Sequence, residues 1–490
     1  MAAAPIALPA TLEEAHALIL KLLPLVARVE ELQARVEAQQ RRIDELERRL
    51  HQSSRNSSLP PSSDPPRLKL PPKQKPSGRK PGGQPGHEGS SRALLPPEKL
   101  AGSSDHFPDA CDACRRRFGA ADRRDEPEEP VRHQVTDVPP IVATTFEYRL
   151  HALRCGCGAV TRAPLPDGVP QGAFGPGLDA LCATASGSYR LSKRTILGLV
   201  ADWFGIEIAL GSIIACERRI SEALAEPVAE AHRFVQRQAS ANADETGWRE
   251  ARRKAWLWVM TTAFVTVFLI HRLRSKVAAH ALLGSFAGTL GTDRWAAYDD
   301  YKGRRQLCWA HLARDFQALS EYRGKMGRVG KELLRLKRRT FRYWKRVCDG
   351  TLSREDFRQR MKPVRRRVEC LLVEGDLCNV PKASGMCWEI YERRDGLWTF
   401  VDVPGIEPTN NAAERAIRPG VLWRKGSFGT HSEEGSRFVE RMMTVTATLR
   451  QQGRSVVEYV RQVSHARLHG LPVPSLLPHV NVAPQLAIAA

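Results

Sequence analysis

Three carboxylates far apart in the chain stand where a hard-metal site would need them. Asp244 closes a polar run just before two apolar stretches, Asp293 sits where a short strand gives way to a loop, and Glu414 begins a helix. Carboxylates converging from strand ends and a helix start can hold two divalent cations. One cation activates a water or a 3′-hydroxyl, and the other stabilises the leaving oxygen of an in-line displacement at phosphorus. Hard oxygen ligands suit Mg2+ or Mn2+. Each acid also has an ordinary reading. Asp244 can be a solvated turn residue, with Glu245 equally acidic beside it. Asp293 can cap the turn before Arg294. Glu414 lies three positions after Asn411, a capping-box spacing near the positive end of a helix dipole. Residue types alone leave both readings open.

A second set of ligands is sulfur. Cys111-x2-Cys114 and Cys155-x-Cys157 are two close pairs. Four thiolates in this arrangement can close a tetrahedral site around one structural Zn2+, which would hold together a module too small to fold on its own core. The second pair has one intervening residue and is tighter than the usual knuckle. Eleven cysteines are an odd, sparse count for a disulfide framework and suit metal in a reducing compartment better. Cys308 and His311 give a further Cys-x2-His spacing. With no partner pair evident, they read as packed core side chains rather than a second zinc site.

The elements that must position these groups can be read along the chain. The 490 residues carry 75 Lys and Arg against 54 Asp and Glu, a net charge of +21 that points to a polyanion, with nucleic acid foremost. The longest apolar stretch, 255–270, is too short and too threonine-rich to cross a bilayer. The N-terminus lacks the basic region of a secretory signal, so a cytoplasmic address is expected. Leu22, Leu25, Val29, Leu32, Val36, Ile43, Leu46 and Leu50 alternate by threes and fours with Gln39 in the seam, a coiled-coil stripe that predicts self-association. Pro24 should limit its reach toward the N-terminus. A Ser-, Pro-, Gly- and Lys-rich linker follows. Strands are predicted at 131–138 and 141–153. Two helices around a short turn at 194–223, with Gly205 as stop and Ser212 as N-cap, outline a helix-turn-helix, though ordinary helical hairpins look alike.

Two core strands are predicted within 255–270, a helix at 276–283, a strand at 288–292 and a further run at 306–309. From 321 to 369 the chain reads as helical, with 18 Lys or Arg against six acids. That net of +12 would repel itself without a phosphate partner, so Arg335, Lys337, Arg338 and Arg339 are DNA-contact candidates. Helices are predicted at 411–418 and 436–452, and a loosely ordered tail after Gly470.

The segments SSRNSSLPPSSD (53–64), GRKPGGQPGHEG (78–89), ADETGW (243–248), GTDRWAAY (291–298), CWAHLARDF (308–316), NNAAERAIRP (410–419) and WRKGSFGTHSEEGSRF (423–438) occur in this order over most of the chain. The series resembles the bacterial insertion-sequence transposases of the sixty-six family. The resemblance implies an α/β fold with an RNase H-like catalytic core (240–320 and 400–460) interrupted by a basic helical insertion (321–399). Ahead of the core it implies a leucine zipper (11–52), a basic linker (53–100), a zinc-binding module (101–165) and a helix-turn-helix region (175–235), with a tail at 461–490. It places the DDE acids on Asp244, Asp293 and Glu414 with two Mg2+ or Mn2+ ions, and the zinc ligands on Cys111, Cys114, Cys155 and Cys157. Arg415, Arg418, Arg424 and Lys425 would hold phosphates near the metals. The expected partners are double-stranded DNA, a second copy of the chain and accessory proteins of the same element. A DNA-binding protein without catalysis, or a nuclease without strand transfer, would keep many of the same features.

Overall fold

The computed structural model describes residues 11–57, 92–122 and 129–478, with isolated positions 9, 64 and 89. Most of the predicted linker and residues 479–490 of the predicted tail lie outside the described residues. The chain forms two compact units, 67–145 and the remainder. The division falls inside the stretch expected to be one zinc module.

Helix α1 (Leu12–Leu50) opens with a capping box between Thr11 and Glu14 and runs unbroken through Pro24. Pro24 is expected to limit the heptads rather than the helix, and the exposed helix accommodates the backbone hydrogen bond that proline cannot make. The predicted stripe from Leu22 to Leu50 is exposed along its whole length.

The strands predicted at 131–138 and 141–153 do not form, and only β1 (Ala152–Arg154) appears, paired with β2 (Val160–Arg162). Val131, Val135, Val142 and Phe146 are all more than four-fifths exposed. β-propensity reflects packing against neighbours, and these side chains have little around them among the described residues, while Pro139 and Pro140 remove two backbone donors between the runs.

A helical layer follows: α2 (Pro176–Gly187), α3 (Lys193–Phe204), α4 (Leu210–Ala223) and α5 (Ala225–Gln236). Gly205 ends α3 with φ +63°, as predicted. Helix α4 starts two residues before Ser212, with Ala209 as N-cap. Cys182, Ile196, Val200, Ile213 and Cys216 form the small core joining α2, α3 and α4.

The central sheet is mixed α/β architecture. Its strands are β3 (Ser240–Glu250), β4 (Arg253–Thr261), β5 (Thr266–His271), β6 (Thr289–Thr292) and β7 (Arg305–Leu307), with α6 (Lys276–Leu283) between β5 and β6. The spatial order is β5-β4-β3-β6-β7. The β3–β4 and β4–β5 pairs are antiparallel, and β3–β6 and β6–β7 are parallel. Strand β3 is therefore the middle of the sheet.

Beyond β7 the chain enters an all-helical excursion: α7 (Trp309–Ser320), α8 (Gly324–Cys348), α9 (Arg354–Asp376), α10 (Pro381–Glu392) and the short α11 (Thr399–Asp402). It has its own core around Trp309, Phe316, Phe357, Trp398 and Phe400. The chain then returns through α12 (Asn411–Ser427), α13 (Glu433–Gln451) and α14 (Val456–Leu468). The expected tail is partly a packed element. Leu476 is fully buried, and Gln452 and Arg454 donate to the carbonyls of Leu476 and Leu477 at 3.0 and 3.3 Å.

Helix α13 closes the free edge of β5 with side chains. The backbone N–H groups of Thr266 and Phe268 donate to the hydroxyls of Thr448 and Thr444, both at 3.1 Å, and that of Ile270 donates to the Glu440 carboxyl. The pitches match: four helical residues rise about 6 Å and two strand residues about 6.6 Å. Arg437 completes the ladder by donating to the Ile270 carbonyl at 3.0 Å.

Candidate active site

Alternation along β3 separates the two adjacent acids. Ala241, Ala243 and Glu245 face one side, with Ala241 and Ala243 in the core that includes α5 and α6 residues. Asn242, Asp244, Thr246 and Trp248 face α12. Glu245 is buried and neutralised: Arg274 donates to it at 2.9 and 3.2 Å and Tyr298 at 3.0 Å. Arg274 is itself held between the rings of Trp256 and Trp295. Even so, burial and the nearby charge of Asp293 push the Glu245 carboxyl up to about 7.

Asp244 has a different environment. Its recorded hydrogen bond comes from the Glu245 backbone N–H at 2.9 Å, and among the described residues no lysine or arginine pairs with it. Burial pushes its carboxyl well above the usual carboxylate range, and the charges of Glu245, Asp293 and Glu414 push in the same direction.

Strand register brings Asp293 alongside. Asn242 pairs with Gly291 across the parallel β3–β6 ladder, and Asp293 follows one residue beyond the end of β6, near enough for its charge to be felt at Asp244. A Cβ at Gly291 would strike the Asn242 side-chain amide and push it from its place against Asn410. The predicted turn role is real but partial: the Trp295 N–H donates to one Asp293 oxygen at 2.9 Å.

Helix α12 delivers Glu414, and two bolts to β3 fix where it lies. Asn410 donates to the Ala243 carbonyl at 2.8 Å and accepts from Asn242 at 2.9 Å. At the far end, Arg424 binds the Thr246 hydroxyl at 3.3 Å and the Gly247 carbonyl. The capping-box reading of Glu414 does not hold. The N-cap is Asn410 rather than Asn411, and no side-chain cap forms. The Asn410 N–H instead donates to Cys308 Sγ at 3.2 Å.

Asp244 thus feels the charges of Asp293 and Glu414, but among the described residues the three acids do not bring their ligand atoms together within 4.8 Å. Sequence reasoning did not foresee what stands beside them. One ligand-type atom each from Cys308, His311 and Glu414 lie within 4.8 Å of one another. The Cys-x2-His spacing was visible in the sequence, but the third member comes from beyond the helical excursion. Burial, with Arg314 nearby, holds the His311 imidazole below its ordinary value.

The basic candidates divide. Arg415, Arg418 and Lys425 are exposed on α12 and have no ion-pair partner among the described residues, whereas Arg424 is occupied as a bolt. On α8, Arg335 pairs with Glu332, Lys337 lies over Phe341 and Arg339 over Tyr343, while Arg338 is exposed. Of the 18 cations in 321–369, only Arg323, Arg335, Arg358, Arg365 and Arg367 have acid partners among the described residues.

The cysteine pairs each sit in a tight turn. Backbone amides of Cys114 and Ala113 and the Cys114 thiol hold the Cys111 thiol below its ordinary value, and the Cys157 amide and thiol do the same for Cys155. Cys111 and Cys114 belong to one compact unit, and Cys155 and Cys157 to the other. No helix among the described residues is long and apolar enough to cross a membrane.

A family model described as the transposase IS66 family matches residues 171–437, which include all three acids and the helical excursion. The chain belongs to the IS66 family of transposases. A second model, for a family of unknown function designated DUF6444, matches residues 4–93. A curated relative, the uncharacterized protein y4qI of Sinorhizobium fredii (strain NBRC 101917 / NGR234), is 26% identical over 247 residues, 46% of this chain and 46% of that protein. The chain therefore spans about half the length of that relative.

Proposed function

We propose that this protein is a DDE transposase that cuts the ends of an insertion sequence and joins their 3′-hydroxyls to target DNA. The observation that carries this reading is uncompensated charge. Nearby acids are neutralised: Glu245 by Arg274, Asp299 by Arg305 and Arg393, and Asp315 by Arg294. Asp244 feels the charges of Asp293 and Glu414, none of the three carboxylates has a lysine or arginine partner among the described residues, and one Glu414 oxygen is buried without a hydrogen bond. Clustered like charges are costly, and a cation from outside the chain would relieve that cost.

This donor set fits two Mg2+ or Mn2+ ions, which would supply Lewis-acid stabilisation for phosphoryl transfer. The chain's own contribution is rigid placement. The central strand and its parallel neighbour would set the two aspartates near each other, and Asn410 and Arg424 fasten the helix that carries Glu414 to that strand. Exposed Arg415, Arg418 and Lys425 would hold phosphates beside the acids, and the unpaired cations of α8 and α9 would hold flanking DNA. A mixed sheet with its first acid on the middle strand and its last on a packed helix supports an RNase H-like core.

In the same reading, each cysteine pair, Cys111 with Cys114 and Cys155 with Cys157, would supply thiolates to structural Zn2+. The exposed stripe of α1 would pair with a second copy as a leucine zipper. Residues 175–235 would contribute to recognition of double-stranded DNA at the element's ends, with accessory proteins of the element as further partners. A DNA-binding protein without catalysis would leave Glu414 to cap its helix, and it makes no such cap.

The test uses the full chain, labelled element ends and Mg2+. Asp293→Asn and Glu414→Gln should each abolish strand cleavage while end binding persists. Normal cleavage by Asp293→Asn would overturn the assignment, and failure of the parent protein to join pre-cut ends would reduce it to a nuclease.

A further inference from the structure

Two polar atoms beside the acid cluster lack partners. His311 Nδ1 and Glu414 Oε1 face each other at 3.5 Å, and both are buried without a hydrogen bond. Buried polar atoms in folded proteins are nearly always satisfied, so such a pair needs an explanation. The third group at this point is the thiol of Cys308, which is 2% exposed at the N-cap of α7.

The surrounding backbone holds this trio in place. Cys308 Sγ accepts from the Asn410 N–H at 3.2 Å, and the Trp309 N–H donates to the Pro408 carbonyl at 2.9 Å. The ends of the helical excursion are thereby stitched together, and the first turns of α7 and α12 lie side by side. One sulfur, one imidazole nitrogen and one carboxylate oxygen converge from these two helix starts.

Sulfur and imidazole are poor ligands for Mg2+ and good ones for Zn2+, which commonly takes three protein ligands and leaves one position open. We propose that Cys308, His311 and Glu414 form a Zn2+ site that shares Glu414 with the hard-cation cluster, so that zinc withdraws this carboxylate and inhibits the enzyme. The inhibitory consequence rests on the catalytic reading above, whereas binding itself does not.

The experiment is equilibrium dialysis of the full chain against Zn2+, followed by metal analysis, for the parent protein, Cys308→Ser and His311→Gln. The two variants remove different ligands, so a folding defect in one leaves the other as a measurement. The parent should retain about one zinc more per chain than either folded variant, whatever the four N-terminal cysteines bind. With Co2+, the sulfur-to-cobalt charge-transfer absorption should be weaker in Cys308→Ser than in the parent. Added Zn2+ should suppress Mg2+-dependent cleavage by the parent, and excess Mg2+ should restore it. Equal zinc content in all three proteins would overturn the site. Cleavage unaffected by zinc in a parent that carries the extra ion would overturn the inhibitory role. An absence of cleavage under all conditions would instead count against the transposase reading, with the dialysis result still deciding the site.

Discussion

The side-chain ladder from α13 to β5 predicts opposite outcomes for the same substitution two residues apart. Thr444 is fully buried, and its hydroxyl accepts from the Phe268 N–H at 3.1 Å. Thr446 is also buried, but its hydroxyl has no partner. Thr444→Val leaves a strand-edge N–H unsatisfied, at a cost of about 1–3 kcal/mol. Thr446→Val removes a desolvated hydroxyl with no hydrogen bond to lose and should stabilise by about 1 kcal/mol. Threonine and valine have similar helix propensity, so the intrinsic difference largely cancels between the two sites. Urea unfolding of the full chain is the assay: the midpoint should fall for Thr444→Val and rise for Thr446→Val, with the slope unchanged. Hydrogen exchange at Phe268 should accelerate only in the first variant. Midpoints moving in the same direction and by the same amount would refute the idea that hydroxyl acceptors, rather than general packing, hold this edge.

Other predictions concern charge and backbone strain. Burial pushes the Glu440 carboxyl up to about 7 from 4.5, so its contribution to stability is fully present below pH 4.5 and is lost as pH rises through about 7. Glu440→Gln should flatten the stability profile over that window by up to about 3 kcal/mol in thermal or urea unfolding. Phe428 is 79% exposed and adopts a left-handed φ of +60°, so Phe428→Gly should stabilise by about 1 kcal/mol in the same unfolding measurement. Arg338→Gln should weaken binding to any duplex and lower the salt slope by about one, read from binding curves at several salt concentrations.

Much of the architecture was legible because it follows hydrophobic period and punctuation. The stretches that became β4, β5 and α6 are apolar and bounded by turns, and Gly205 stops α3 as its position suggested. Strand β3 was the main omission. The middle strand of the sheet reads SANADETGWRE, with alanines on its inward face and the candidate site on the other, so it lacks the apolar run that marks a central strand. The same polarity that makes β3 hard to recognise makes it useful to the site. Choosing between Asp244 and Glu245 required knowing which face each occupies, and the role of Glu414 required knowing that the helix begins at Asn411 with Asn410 as cap. The failed strands at 131–138 and 141–153 show the converse error, where β-branched residues have no surface to pair with. The Cys308, His311 and Glu414 trio could not be seen in sequence, because its members meet only after a hundred-residue detour closes.

That closure has a consequence for how the chain can change over time. The detour leaves the sheet at Cys308 and rejoins it at Asn410, and these two points touch through hydrogen bonds from Asn410 to Cys308 and from Trp309 to Pro408. A loop fastened at its neck can lengthen or shorten away from that neck without transmitting the change to its base, since the entropic penalty of a longer loop grows only slowly. Substitution at the neck should therefore be felt at Glu414, and insertion away from it should not.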